Sequence, residues 1–460
     1  MDRYILKYLY DRSTNPKERR FLDYFKIQLD HRLYSFGMHH LDDFENNQRR
    51  YLEIIEQEKG IKRLLHPRRR LRKLREKISV LFGNRQTIER STTHIRQDGC
   101  RYHVLSLLNL PKGTIDELRR NGIAVYHYGY PSFDGDMIYS SGSLDALSLF
   151  VRQVKYYDFN QLLSEYNYEK LDDIYRKAVE EFRDKGFDAV LTKTSETLEC
   201  KFIIDVFLEI GLPSITLQHG IPGFYTEATE GRASYLCVWG ENVWKNYLKT
   251  GFDMHKIFVS GNSNYTSFPN HQQIRCNLQD VLVVTSTTFE VHQHEWQWNK
   301  FPKQDRELLI TYLYSVENVL KNNGVHHARL RPHPHHINRQ WLAKYIDMSF
   351  YEMDNADLIS SLSKTTMCIG QPSSSMFEAL RNGVSYLVYE PSDDGKHYMI
   401  GEILMPPYDG SDKYLKIASS EEQLDKMIKE RYVADVKLLD EYIMPFNGAI
   451  IKKILDGQKA

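Results

Sequence analysis

The chain has 460 residues, 41% of them hydrophobic and 27% charged, with 61 basic and 61 acidic side chains and so no net charge. That length and apolar content suffice for two domains with real cores, and the charge balance removes any argument for capturing a polyanion by global attraction. Cys100, Cys200, Cys237, Cys276 and Cys368 lack metal-ligand spacing, and an odd, scattered set suits a reducing compartment.

The N-terminus, Met1-Asp2-Arg3-Tyr4, leads into a polar, tyrosine-rich stretch rather than a signal peptide, and no window carries the roughly 18 apolar residues of a membrane span. The expected location is the cytoplasm, with peripheral contact to the cytoplasmic membrane face as an addition. Residues 1–95 read as a helical, mostly polar accessory region. Within it, positions 62–77 hold nine Lys or Arg against one acid, Glu76, and apolar residues from Ile61 to Leu81 are threaded through them. Two readings fit: a solvated helix face with its apolar stripe on the protein, or residues 61–81 lying on anionic lipid. Pro67 interrupts any single long helix, and the missing aromatic interleaving argues against nucleic acid.

From about residue 100 strands alternate with helices. The first series has strands at 102–110, 122–127, 187–192, 214–218, 235–239 and 256–260, with helices to 121 and over 160–185, 197–210 and 241–250. A polar linker covers 262–278. The second series runs strand 281–285, helix 304–322, strand 328–331, helix 338–346, strand 357–362, strand 367–369, helix 374–382 and strand 386–389. A helical stretch follows over 420–457, broken near Pro445 and Gly448. The pattern predicts the α/β class: two Rossmann-like domains, 96–265 and 275–435, facing across a cleft, with the N-terminal extension and a C-terminal helix at 436–460. In such sheets ligands sit beyond the carboxyl ends of the strands, so the cleft is the expected site.

Two segments carry the strongest chemical signal. Strand 328–331 runs into Arg331-Pro332-His333-Pro334, where two prolines fix the backbone around an imidazole. Held in that way, His333 loses little entropy on meeting a phosphate, and Arg329 or Arg331 can add charge. Some forty residues later, Ser373, Ser374 and Ser375 follow a strand directly, at an expected switch point, and open a helix, whose first amides have no partner and favour an anion. One of them acting as a plain helix cap is the bland alternative. Glu378, further into that helix, suits a ribose hydroxyl, a capping box or solvent. The histidines at 333, 335 and 336 do not supply a metal set, and no metal is expected.

Three residues compete as general base in the first domain. His219 emerges from a strand into the loop Gly220-Ile221-Pro222-Gly223, Glu196 stands near a helix start after Thr192-Lys193-Thr194-Ser195, and Asp134 lies in the turn Asp134-Gly135-Asp136. A loop histidine, a first-turn acid and a turn-forming Asp-Gly are the corresponding bland readings. Phosphate-loop, dinucleotide-fingerprint, nucleophile-elbow and His-Glu-x-x-His patterns are absent, which argues against an ATPase, a Rossmann dehydrogenase, an α/β hydrolase and a zinc protease.

Taken in order, Gln218-His219-Gly220, Val238-Trp239-Gly240, Val259-Ser260-Gly261-Asn262, Arg331-Pro332-His333-Pro334 and Ser373-Ser374-Ser375 resemble GT-B glycosyltransferases of bacterial surface-polysaccharide synthesis. The last two are similar to the HP and SS motifs of bacterial sialyltransferases and Kdo transferases, and CDP-glycerol polymer transferases look related in the same places. The resemblance spans roughly residues 185–400. It implies an inverting, metal-independent enzyme that moves a sialic acid- or Kdo-like sugar from a CMP-linked donor to an oligosaccharide or glycolipid acceptor, without a cofactor. It also implies that His333 and the three serines contact the CMP moiety. The acidic-Gly motif that holds the base in sialyltransferases is only partly matched by Asp134-Gly135. A CDP-polyol phosphotransferase or UDP-sugar transferase of the same fold, a nucleotide-sugar epimerase, and a non-catalytic glycan-binding or assembly protein are the alternative expectations.

Overall fold

The computed structural model of the chain describes residues 20–21, 24, 99–127, 165–192, 198–218, 220–221, 233–267, 273–285, 302–332, 342–392 and 404–457. Short runs rich in Val, Ile, Leu and Ala become strands buried on both faces, as a parallel sheet covered by helices requires. The first domain contains β1 (Tyr102–Ser106), β2 (Ile123–His127), β3 (Ala189–Thr192), β4 (Ser214–Leu217), β5 (Tyr235–Val238) and β6 (Ile257–Val259). They form one parallel sheet in the order β2-β1-β3-β4-β5-β6, with Val104 opposite both Val125 and Ala189. Its helices are α1 (Lys112–Arg120), α2 (Glu165–Lys185), α3 (Leu198–Glu209) and α4 (Glu241–Lys249).

The second domain contains β7 (Val281–Val284), β8 (Ala328–Arg331), β9 (Tyr351–Met353), β10 (Met367–Gly370), β11 (Ser385–Tyr389) and β12 (Ile417–Ala418), ordered β12-β11-β10-β7-β8-β9 and again parallel. Helices α5 (Pro302–Asn322), α6 (Leu358–Lys364), α7 (Ser375–Arg381) and α8 (Glu421–Lys429) belong to it. The chain runs outward from β7 through β8 to β9, then returns beside β7 as β10 and runs the other way. That order is the doubly wound one, with its switch point between β7 and β10. The fold is therefore α/β with two Rossmann-like halves.

The two halves share a core. Leu236, Val238 and Trp239 of the first pack in one buried cluster with Leu282, Cys368, Met376 and Phe377 of the second. After α9 (Lys437–Tyr442) the chain crosses back, and α10 (Gly448–Gly457) covers the first sheet, burying Ile451, Ile454 and Leu455 with Val104, Val125 and Leu217. The crossing lies against two glycines. A Cβ on Gly240 would stand 2.5 Å from the Tyr442 carbonyl carbon, and one on Gly261 would stand 2.1 Å from the Pro445 oxygen. Gly261 also has φ of 81°, so both room and conformation call for glycine there.

Several boundaries differ from those read in the sequence. The strand expected over 102–110 ends at Ser106, because the Ser106 hydroxyl bonds to Leu108 and turns the chain. Residues 357–362 fall in a helix, α6, whose N-cap Asp357 accepts from the Ser360 amide. Edge strand β9 was not anticipated, and the described part of the 338–346 helix, from Leu342 on, closes in turns. The C-terminal stretch is three helices: the break expected near Pro445 and Gly448 falls at 443–447, and a second one, at 430–436, was not read from the sequence. Of the N-terminal region, Phe21 and Tyr24 are buried against α2 and α3, where the Tyr24 hydroxyl donates to Asp205 at 2.6 Å. The basic run at 61–81 lies outside the described residues.

Candidate active site between the two sheets

A parallel sheet ends all its strands on one side, and side chains just past those ends face whatever lies beyond. Several of the buried polar atoms without a hydrogen-bond partner follow strand ends, namely His127 Nε2 ending β2, Gln218 Nε2 past β4, Asn262 Nδ2 past β6 and Thr285 Oγ1 past β7; Glu378 Oε2 is on α7, and others, such as Glu317 Oε2 on α5, lie elsewhere. Leaving such a group unpaired costs on the order of 1–3 kcal/mol, so each of these atoms is a place where a ligand could supply the missing partner.

The serines stand at the switch point. Strand β10, beside β7, ends at Gly370, and a Cβ there would meet the Tyr386 hydroxyl at 2.0 Å, so only a bare backbone fits. Ser373, Ser374 and Ser375 follow within five residues. The Ser373 hydroxyl oxygen accepts from the Ser375 amide at 3.3 Å and from the Ser375 hydroxyl at 3.1 Å. Ser374 is the N-cap residue, yet its side chain makes no capping bond. Its hydroxyl lies instead against the first domain, 3.5 Å from where a Cβ on Gly220 would be. Gly220 follows His219 in the loop after β4, so this loop and the serine cluster meet across the boundary between the sheets.

Glu378, the fourth residue of α7, accepts a hydrogen bond from the Tyr265 hydroxyl through Oε1. Burial raises its pKa above the ordinary carboxylate value, opposed by that bond and by the charge of Arg381. The Arg381 guanidinium lies over the Tyr265 ring, 3.3 Å from its centroid, and burial raises the Tyr265 hydroxyl pKa.

Gln218 is held on three sides. Its amide donates to the Cys237 carbonyl at 2.9 Å, its own carbonyl accepts from the Trp239 indole at 2.6 Å, and its Oε1 accepts from the Trp239 amide at 2.9 Å. Because a backbone amide needs an acceptor, the side-chain oxygen must face Trp239, and the NH2 group is the end left over. Thr192 and Thr216 bond to each other at 2.9 Å at the ends of β3 and β4.

Arg331 ends β8, and its Nη1 donates to the Ala356 carbonyl at 2.6 Å and lies 3.8 Å from Asp354. Arg329 bonds Asp280 at 2.5 Å and the Thr365 hydroxyl at 2.6 Å, bracing β8 against the neighbouring loops. Pro332 is buried directly after β8. His333, His219, Glu196 and Asp134 lie outside the described residues. Among the described residues, no group of three His, Cys, Asp or Glu is arranged to hold a metal, and no helix is long and apolar enough to cross a membrane. Tyr265, Thr285 and Arg381 were not singled out from sequence, and Gln218 was quoted only as the first residue of a motif, with no role of its own. Gln218 and Thr285 left a trace, each being the polar residue that closes an apolar strand, whereas Tyr265 sits in what reads as linker.

No protein-family model matches the chain, and no curated protein is significantly similar to it. Solved structures resemble it in the course of the chain. The UDP-GlcNAc 2-epimerase of Neisseria meningitidis bound to UDP-GlcNAc matches 77% of this chain and 99% of its own at 12% identity and TM-score 0.44. The Methanocaldococcus jannaschii UDP-GlcNAc 2-epimerase in complex with UDP-GlcNAc and UDP matches with the same values. A variant of the wall teichoic acid polymerase TagF matches 78% of this chain and 88% of its own at 11% identity and TM-score 0.40. The description of the fold as two Rossmann-like halves rests on the strand order given above.

Proposed function

We propose that the chain is an inverting glycosyltransferase of GT-B type. Its second domain holds a CMP-linked sugar of sialic acid or Kdo type, and its first domain presents an oligosaccharide or glycolipid acceptor of bacterial capsule or lipopolysaccharide synthesis. The observation that carries the reading is the meeting of Gly220 with the Ser374 hydroxyl. It sets the strand end bearing His219 against hydroxyls placed at the doubly wound switch point, where such sheets take their ligands. The HP and SS resemblance supplies CMP and the sugar.

In this reading the acceptor hydroxyl oxygen attacks the anomeric carbon from the face opposite the nucleotide, and the carbon–oxygen bond to the CMP phosphate breaks. The bond's electron pair leaves with CMP. The acceptor proton passes to a base in the first domain, with His219, Glu196 and Asp134 as the candidates. His333, Arg331 and the three serines stabilise the charge that grows on the departing phosphate, and Glu378 takes the ribose hydroxyls. Fixed donors do this work, so the reaction calls for neither metal nor cofactor. The enzyme would work on the cytoplasmic side of the membrane, with residues 61–81 touching its surface.

The test is a panel of CMP-, CDP- and UDP-linked donors, each incubated with and without surface glycans while nucleotide release is followed. The expected result is CMP release that depends on acceptor, abolished in His333→Ala, which also binds CMP more weakly. Turnover of a CDP-polyol or UDP-sugar instead would replace the donor class, and glycan binding with no donor turned over would overturn the enzyme.

A further inference from the structure

We propose that Tyr265 is a positioning residue of the donor site: it holds the Glu378 carboxylate by one oxygen, leaves the other to the nucleotide ribose, and ties that carboxylate to the segment joining the two domains. This rests on the donor reading above and adds a residue from outside its motifs. Glu378 has one oxygen engaged by Tyr265 and the other buried without a partner. A half-satisfied buried carboxylate is costly unless something else donates to it, and in a nucleotide site the available donors are ribose hydroxyls. Among the described residues the titratable groups facing Glu378 are Tyr265 and Arg381, and Arg381 stacks on the tyrosine ring, so Glu378 and Arg381 together hold the phenol in place.

The backbone of Tyr265 is fixed where the chain passes twice between the domains. Its carbonyl accepts from the Phe446 amide at 2.6 Å, and its amide donates to the Asn262 carbonyl at 3.0 Å. Asn262 donates to the Met444 carbonyl at 2.8 Å, and Asn447 to Ser260 at 2.8 Å, so outgoing and returning segments are sewn together at this point. On the first domain, the Thr114 hydroxyl donates to the Ser263 carbonyl at 2.6 Å. One side chain thus reaches from the double crossing to a carboxylate three residues beyond the serine cluster. A movement of one domain against the other shifts Tyr265 relative to Glu378, and a ligand that fixes Glu378 in turn favours one setting of the crossing.

The experiment compares Tyr265→Phe with the unmodified chain by calorimetric titration of CMP and of its 2′,3′-dideoxy counterpart. The unmodified chain should prefer CMP by roughly three- to tenfold, the span of one or two net hydrogen bonds. In Tyr265→Phe most of that preference should vanish, while dideoxy-CMP binds within about twofold as before. Loss of the hydroxyl also removes a bond that favours the ionised carboxylate, so the fall in CMP affinity on acidification should begin at higher pH in the variant. Retention of the ribose preference, or equal weakening of both nucleotides, would overturn the role of Tyr265 alone. No CMP binding by the unmodified chain would overturn the donor reading and this role with it. A melting temperature taken without ligand checks that the variant is folded.

Discussion

Glu378 shows how one buried carboxyl can link stability to function. Its folded-state pKa lies above the ordinary value because burial outweighs the Tyr265 bond and the Arg381 charge. A carboxyl raised in this way stabilises the fold when protonated and loses that contribution as pH rises through its folded pKa. Glu378→Gln cannot titrate. We therefore expect the unmodified chain to lose stability relative to Glu378→Gln as pH climbs from about 4.5, the glutamate reference range. Urea midpoints measured side by side from pH 4 to 8 check this, and parallel curves would refute it. The same residue was legible in the sequence as a carboxylate near the start of a helix. That it accepts from Tyr265, 113 residues away, was not, because nothing local pairs a linker tyrosine with a helix in the other domain.

At the scale of elements, the strongly periodic segments were readable and the weak ones were not. Central strands such as β7 and β10 are runs of apolar residues bounded by turns, which is all a doubly covered strand needs. Strand β9 is three residues long, with one of them buried, too short for any alternation to show. Helix α6 is rich in serine, and its identity comes from the Asp357 cap rather than from an apolar stripe. Helix α10 was foreseen as a helix, but its docking on the first sheet depends on where the chain crosses. Its Ile451 is fully buried against that sheet. Replacing Ile451 by Ala should cost about 2–5 kcal/mol, the range for truncating a buried aliphatic side chain, although the residue belongs to the chain's last helix. Chemical denaturation followed by far-UV dichroism measures it; a loss within about 0.5 kcal/mol would show that α10 is not part of the first domain's core.

Across the whole molecule, the shared cluster of Leu236, Val238, Trp239, Leu282, Met376 and Phe377 leaves no clean division between the two halves. The stitched crossings at 260–265 and 444–447 reinforce it. We expect a single cooperative unfolding transition. Tryptophan fluorescence, to which buried Trp239 contributes at the boundary, should share its denaturant midpoint with far-UV dichroism. Two separate midpoints would mean that the sheets unfold independently and that the shared cluster holds little.

By itself the sequence determined the class of fold, the two series of strands and helices, and the serine cluster directly after a strand. Those features are local: hydrophobic period, turn residues and helix starts are written within a few positions of one another. Only the tertiary structure supplied the strand order behind the switch point expected at the serines, in which β10 returns beside β7. Only it brought Gly220 against Ser374, and it gave Gly240 and Gly261 a reason to lack side chains, since the returning chain lies on them. Contacts between residues more than a hundred positions apart are set by the packing of whole elements, and no short window of sequence carries that information.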